Sequence, residues 1–156
     1  MKLMAGNIMT TNFQTLTPKI PVNKAVGFFK KATEEAGRKI YGLMVIDDKE
    51  KLVGMISMYD ILLFIRPKHI HVWGSMDDVD IGRILESSFE KTKSVHVGDI
   101  MTPDVITVPP QTHVFKILDI MIKKHIRRLP VVEDGNIRGI IYISDLFYKL
   151  LEKLTD

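Results

Sequence analysis

The chain has 156 residues, 46% hydrophobic and 26% charged, the make-up of a folded globular chain, which excludes wholesale disorder. Its net charge of +3 is too small to argue for nucleic acid, and no apolar run approaches the roughly 20 residues needed to span a bilayer. With no cysteine there are no disulfides, thiolate metal sites or cysteine nucleophiles, and the opening MKLMAGNIMT lacks a signal-peptide core, so a cytoplasmic protein is expected.

In chain order, Asn7-Ile8-Met9-Thr10 leads into an extended stretch, Phe13 to Pro18, predicted as a first strand. Val22, Val26, Phe29 and Ala32/Thr33 then recur near a 3.6 period and predict a helix. Two short apolar runs follow, Leu43–Ile46 and Leu52–Ile56, joined by a charged turn that predicts a hairpin. Asp60-Ile61-Leu62 opens the next helix. The segment from Pro67 to Ser94 has no counterpart elsewhere; within it Asp77 to Lys91 predicts a connecting helix, acidic at its start and basic at its end.

The remainder repeats the first part. Asp99-Ile100-Met101-Thr102 precedes an extended stretch from Val105 to Pro110. A helix pattern follows through Val114, Ile117, Leu118, Met121 and Ile122. Then come the strand runs Leu129–Val132 and Ile137–Ile141, and Asp145-Leu146-Phe147 opens a last helix. Gly54 to Asp60 and Gly139 to Asp145 have the same spacing, so the chain is an internal duplication: copies at 1–66 and 95–156, connector at 67–94. One βαββα copy leaves a sheet face bare, which a second copy can bury.

Asp60 and Asp145 each sit where a strand hands over to a helix. Such a carboxylate reads either as a cap of the helix start or as an acceptor for paired hydroxyls. Ser57, three residues before Asp60, places a hydroxyl beside a helix N-terminus, where it suits a phosphate oxygen. Lys123 and Lys124 read as solvated cations at a helix end, whereas Arg127 and Arg128 enter a strand just before its apolar core. His69 and His71 with Asp77 to Asp80 have loose spacing for a metal; with Pro67, Trp73 and Gly74 nearby they read as a surface loop, and no metal site is expected. No phosphate loop, dinucleotide fingerprint, nucleophile elbow or metalloprotease motif occurs, so no catalysis is expected.

The ordered set resembles the cystathionine-β-synthase (CBS) domain in tandem, the Bateman module. Its carriers are Ile-Met-Thr ahead of each first strand, Leu129-Pro130-Val131-Val132, and the glycine-to-aspartate pattern ending each copy. The resemblance implies an α/β (α+β) fold: two βαββα repeats in pseudo-twofold symmetry, sheets facing each other, with a connecting helix. It also implies a non-catalytic sensor that binds AMP, ADP, ATP or S-adenosylmethionine between the repeats, signals by conformational change and needs no cofactor. Ser57 and Asp60 fit the family's Gly-x-x-Ser/Thr-x-x-Asp pattern, Asp60 and Asp145 then binding ribose. The second copy departs from it at Tyr142, which can stack on a base, fill the pocket or block it, with Ser144 an alternative hydroxyl.

Arg127 or Arg128 would approach phosphate; the matching positions in the first copy are Tyr41 and Gly42. The base would lie along Thr10, Phe13 and Gln14 and along Thr102, Val105 and Ile106. Apolar side chains of the last helix, Leu146, Phe147, Leu150 and Leu151, and the family's habit point to a homodimer. An unidentified regulated protein is a further expected partner; nucleic acid and membrane are not. The competing reading is a protein–protein adaptor with vestigial pockets.

Overall fold

The computed structural model describes residues 3–67 and 80–155. The expected loop residues His69, His71, Trp73 and Asp77 lie outside that range. The described residues gather into two compact units. Unit A comprises 3–14, 46–53 and 104–155; unit B comprises 15–45, 54–67 and 80–103.

Unit B is built on a mixed sheet in the order β1-β2-β3: β1 (Thr15–Leu16), β2 (Gly42–Ile46) and β3 (Leu52–Ser57). The outer end of its hairpin, 46–53, groups with unit A. β1 runs parallel to β2, Thr15 opposite Met44 and Leu16 opposite Val45. It spans two residues, shorter than the Phe13–Pro18 stretch predicted. Helix α2 (Val22–Ala36) buries Val22, Ala25, Phe29 and Ala32, a stripe of spacing three and four. Val26, expected in that stripe, is 44% exposed, because one step from Ala25 turns a side chain about 100° around the axis. Gly37 ends the helix in the left-handed region at φ 68°, its N–H donating to the Thr33 carbonyl at 3.0 Å.

Helix α3 (Met58–Ile65) follows β3 without a break. Helix α4 (Ile81–Lys91) is the expected connecting helix, but Asp80 caps it from outside the first turn, accepting the Arg83 N–H at 3.1 Å. Helix α5 (Val97–Ile100) precedes Thr102, which pairs with Met55 through bonds of 2.8 and 2.9 Å. Leu16, Phe29, Met44, Val45, Ile56 and Val97 are buried in this unit.

Unit A contains helix α1 (Ala5–Ile8), helix α6 (Val114–Lys123), β4 (Arg128–Glu133), β5 (Asn136–Tyr142) and helix α7 (Ile143–Thr155). β4 and β5 are antiparallel, from Arg128 opposite Tyr142 to Glu133 opposite Asn136, with a register shift between Val131 and Val132. The stretch Val105–Pro110, expected as a strand, pairs at one residue only: Val108 bridges to Val131 in parallel. Pro109 and Pro110 have no N–H with which to extend the ladder. Val114, Ile117 and Met121 of α6 join Ala5, Ile8, Leu129, Ile141 and Leu146 in one core. Leu118 is half-buried and Ile122 is 58% exposed, so the predicted stripe is narrower than its pattern.

The units do not follow the copies. Thr10, from the first copy, pairs with Ile140 of the second, and Thr102, from the second, pairs with Met55 of the first. The fold is mixed α/β, with helices packed on small sheets. Among the described residues no helix is long and apolar enough to cross a membrane.

Candidate functional site

The expected residues divide between the two units, and one backbone bond recurs in both. In unit B the Met58 N–H, the first of α3, donates to the Tyr41 carbonyl at 2.9 Å. In unit A the Ile143 N–H, the first of α7, donates to the Arg127 carbonyl at 2.9 Å. The same bond therefore pins a strand start to a helix start in each unit. Tyr41, Gly42, Ser57, Asp60 and Thr102 belong to unit B; Thr10, Phe13, Gln14, Val105, Ile106, Arg127, Arg128, Tyr142, Ser144 and Asp145 belong to unit A.

In unit B, Ser57 is the N-cap of α3 and Asp60 is its third residue. Asp60 Oδ2 accepts the Ser57 N–H at 2.8 Å and the Ser57 hydroxyl at 3.0 Å, and Ser57 Oγ accepts the Asp60 N–H at 3.1 Å. This reciprocal capping box satisfies two orphan donors of the helix start. The capping role of Asp60 is thus visible, and its Oδ1 remains available as a further acceptor on a carboxylate that can take several bonds. Tyr41 is 53% exposed, whereas Gly42 is buried in β2.

In unit A the pattern differs because Tyr142 stands where Ser57 does. Asp145, third in α7, accepts from the Thr10 hydroxyl at 3.3 Å. Thr10, expected along the base, is by this bond a neighbour of the Asp145 carboxylate. Arg127 is exposed and Arg128 half-buried, directly across from Tyr142. Ser144 is exposed beside Asp145 in the first turn of α7. The backbones of Arg127, Arg128 and Tyr142 and the start of α7, which carries Ser144 and Asp145, thus meet at one end of the β4–β5 hairpin. Guanidinium and helix N–H groups suit an anion, and the carboxylate suits hydroxyls. Unit B has the carboxylate and hydroxyl but Tyr41 and Gly42 in place of the arginines.

Phe13 and Gln14 are half-buried, and Ile106 is 37% exposed. Val105 lines a different feature, an open cavity of about 480 Å³ in unit A that it shares with Lys51, Val53, Asp104 and Thr107. Lys51, which the sequence did not single out, donates to Asn136 Oδ1 at 2.8 Å. Its signal was weak, since a lysine in a charged turn reads as solvated. A second groove, about 340 Å³, lies between α6 and α7 and is lined by apolar side chains including Ile122, Phe147, Leu150 and Leu154.

Residues 5–67 and 97–152 each match the family model described as CBS domain. The chloroplastic CBS domain-containing protein CBSX2 of Arabidopsis thaliana is 32% identical over 145 residues, covering 87% of this chain and 58% of that relative. CBSX1 of the same plant, also chloroplastic, is 33% identical over 116 residues, covering 66% and 47%. The chain thus spans about half the length of these curated relatives. The crystal structure of CBSX2 superposes with a TM-score of 0.75 at 26% identity, covering 100% of this chain and 99% of that one. CBSX2 in complex with AMP gives 0.69 at 29% identity, covering 96% and 97%. One family model meets both halves of the duplication separately, and this chain belongs to the CBS-domain family as a tandem pair.

Proposed function

We propose that this chain is a non-catalytic regulatory module that binds an adenosine-type nucleotide, AMP, ADP, ATP or S-adenosylmethionine, and passes on its occupancy by a change of conformation. The observation that carries the reading is the backbone bond from Ile143, first of α7, to the Arg127 carbonyl, with Arg128 opposite Tyr142, which brings the arginine positions to the helix start that bears Asp145. A relative of similar fold, CBSX2, has been crystallised with AMP, which supports an adenosine ligand here. In this reading Asp60 and Asp145 hold ribose, Ser57 and one or both arginines hold phosphate, and Tyr142 or Ser144 modifies the second site. The base lies along Thr10, Phe13, Gln14, Thr102, Val105 and Ile106. The reading keeps the copies at 1–66 and 95–156 as the functional repeats and a homodimer in the cytoplasm as the working form, with no cofactor.

The test is thermal unfolding with each ligand. A ligand that binds only the folded chain stabilises it by about 2.7 kcal/mol at a hundredfold excess over its dissociation constant. An upward shift with at least one of the four supports the reading. If millimolar AMP, ADP, ATP and S-adenosylmethionine all leave the melting temperature unmoved, the chain is an adaptor and the apolar α6–α7 groove becomes its leading feature.

A further inference from the structure

The two equivalent carboxylates take their hydroxyl partners from different places. Asp60 is served by Ser57, three residues away on the same helix start. Tyr142 at the matching position carries its hydroxyl at the far end of a ring, beyond the short fold-back that a capping box needs. The Asp145 carboxylate accepts from the hydroxyl of Thr10, 135 residues away in sequence.

Thr10 ends a segment that is docked along its length on the rest of unit A. The Val114 N–H donates to the Leu3 carbonyl at 2.8 Å, the Ala5 N–H to Thr112 at 2.8 Å and the Gly6 N–H to Pro110 at 2.9 Å. Thr10 exchanges bonds of 2.8 and 3.0 Å with Ile140, while Ala5 and Ile8 enter the core. The side-chain bond from Thr10 therefore joins a docked segment to the proposed ribose carboxylate.

We propose that Thr10 is a positioning residue for Asp145, and that nucleotide bound at Asp145 tightens the docking of Leu3–Thr10 through it. The inference rests on the nucleotide-binding reading above. Its logic is linkage: a ligand that needs Asp145 held by Thr10 binds the docked form better, so ligand suppresses undocking and undocking weakens ligand by the same factor. At Asp60 the hydroxyl on the carboxylate comes from Ser57 of the same helix start, so the matching segment Val97–Thr102 is not coupled to its site through such a bond.

Hydrogen exchange with and without AMP, on the full chain, tests the inference, alongside calorimetry of AMP binding. At a hundredfold excess of AMP over its dissociation constant, exchange at the Ala5, Gly6 and Thr10 amides slows by about a hundredfold, and at Val97 and Gly98 by much less. Thr10→Val removes the donor and keeps the shape. It weakens AMP by about tenfold and abolishes the slowing at Ala5 and Gly6, whereas Thr10→Ser restores both. A purely structural role would lower stability in Thr10→Val but leave the AMP-dependent slowing in place. If calorimetry shows AMP bound and Ala5, Gly6 and Thr10 exchange unchanged, this inference is overturned and the nucleotide reading stands. If AMP does not bind the unaltered chain at all, both fall. The wild-type exchange experiment decides the matter even if Thr10→Val fails to fold.

Discussion

The carbonyl oxygen of Thr10 lies 2.7 Å from the place a Cβ on Gly139 would occupy. Thr10 pairs with Ile140, so the backbone of the docked segment runs directly over Gly139. In unit B a Cβ on Gly54 would meet Met101 Sδ at 2.5 Å and the Thr102 carbonyl at 3.0 Å. Each repeated glycine is thus the seat of a segment supplied by the other copy. Gly139→Ala and Gly54→Ala are each expected to destabilise by about 1–3 kcal/mol, read as a lowered midpoint in urea. Gly27, inside α2 with nothing within 4 Å of its added Cβ, is the control: Gly27→Ala gains about 0.5–1 kcal/mol. Midpoints that move alike in all three variants would contradict the close approach.

The capping box of α3 makes a second prediction. Ser57→Ala removes the hydroxyl that accepts the Asp60 N–H and lowers stability by about 1 kcal/mol. Ser144→Ala, exposed and second in α7, changes stability by less than about 0.5 kcal/mol. Chemical denaturation of both variants, without ligand, checks the contrast.

Phosphate recognition is expected to depend on unit A. Removing Arg127 or Arg128 weakens AMP more than adenosine and reduces the dependence of AMP affinity on salt, since screening acts on the charged contact. Asp60→Ala or Asp145→Ala weakens AMP and adenosine alike through the ribose. Calorimetric titration of both ligands at two salt concentrations measures this. Equal losses for AMP and adenosine in both arginine variants would assign the arginines to fold or interface.

The α6–α7 groove bears on assembly. Ile122 and Phe147 are each 58% exposed and Leu154 80%, while Leu146 beneath them is 1% exposed. Phe147→Glu is expected to convert a micromolar dimer into a folded monomer by light scattering, the melting transition being retained. Leu146→Ala instead costs about 2–5 kcal/mol through the core. A wild-type chain that is strictly monomeric at micromolar concentration contradicts the dimer.

The duplication, the hairpins and both helix-start aspartates were legible because they rest on local periodicity and spacing. Leu43–Ile46 and Leu129–Val132 read as buried strands, and Gly54 and Gly139 stand at the same distance from their aspartates. Which copy each Ile-Met-Thr segment packs on was not legible. That depends on backbone pairing between Thr10 and Ile140 and between Thr102 and Met55, residues remote in sequence whose bonds leave no side-chain pattern. The departure at Tyr142 was visible, but its consequence was not: only tertiary structure brings the Thr10 hydroxyl to Asp145, since a hydrogen bond is a matter of distance in space and carries no sequence period.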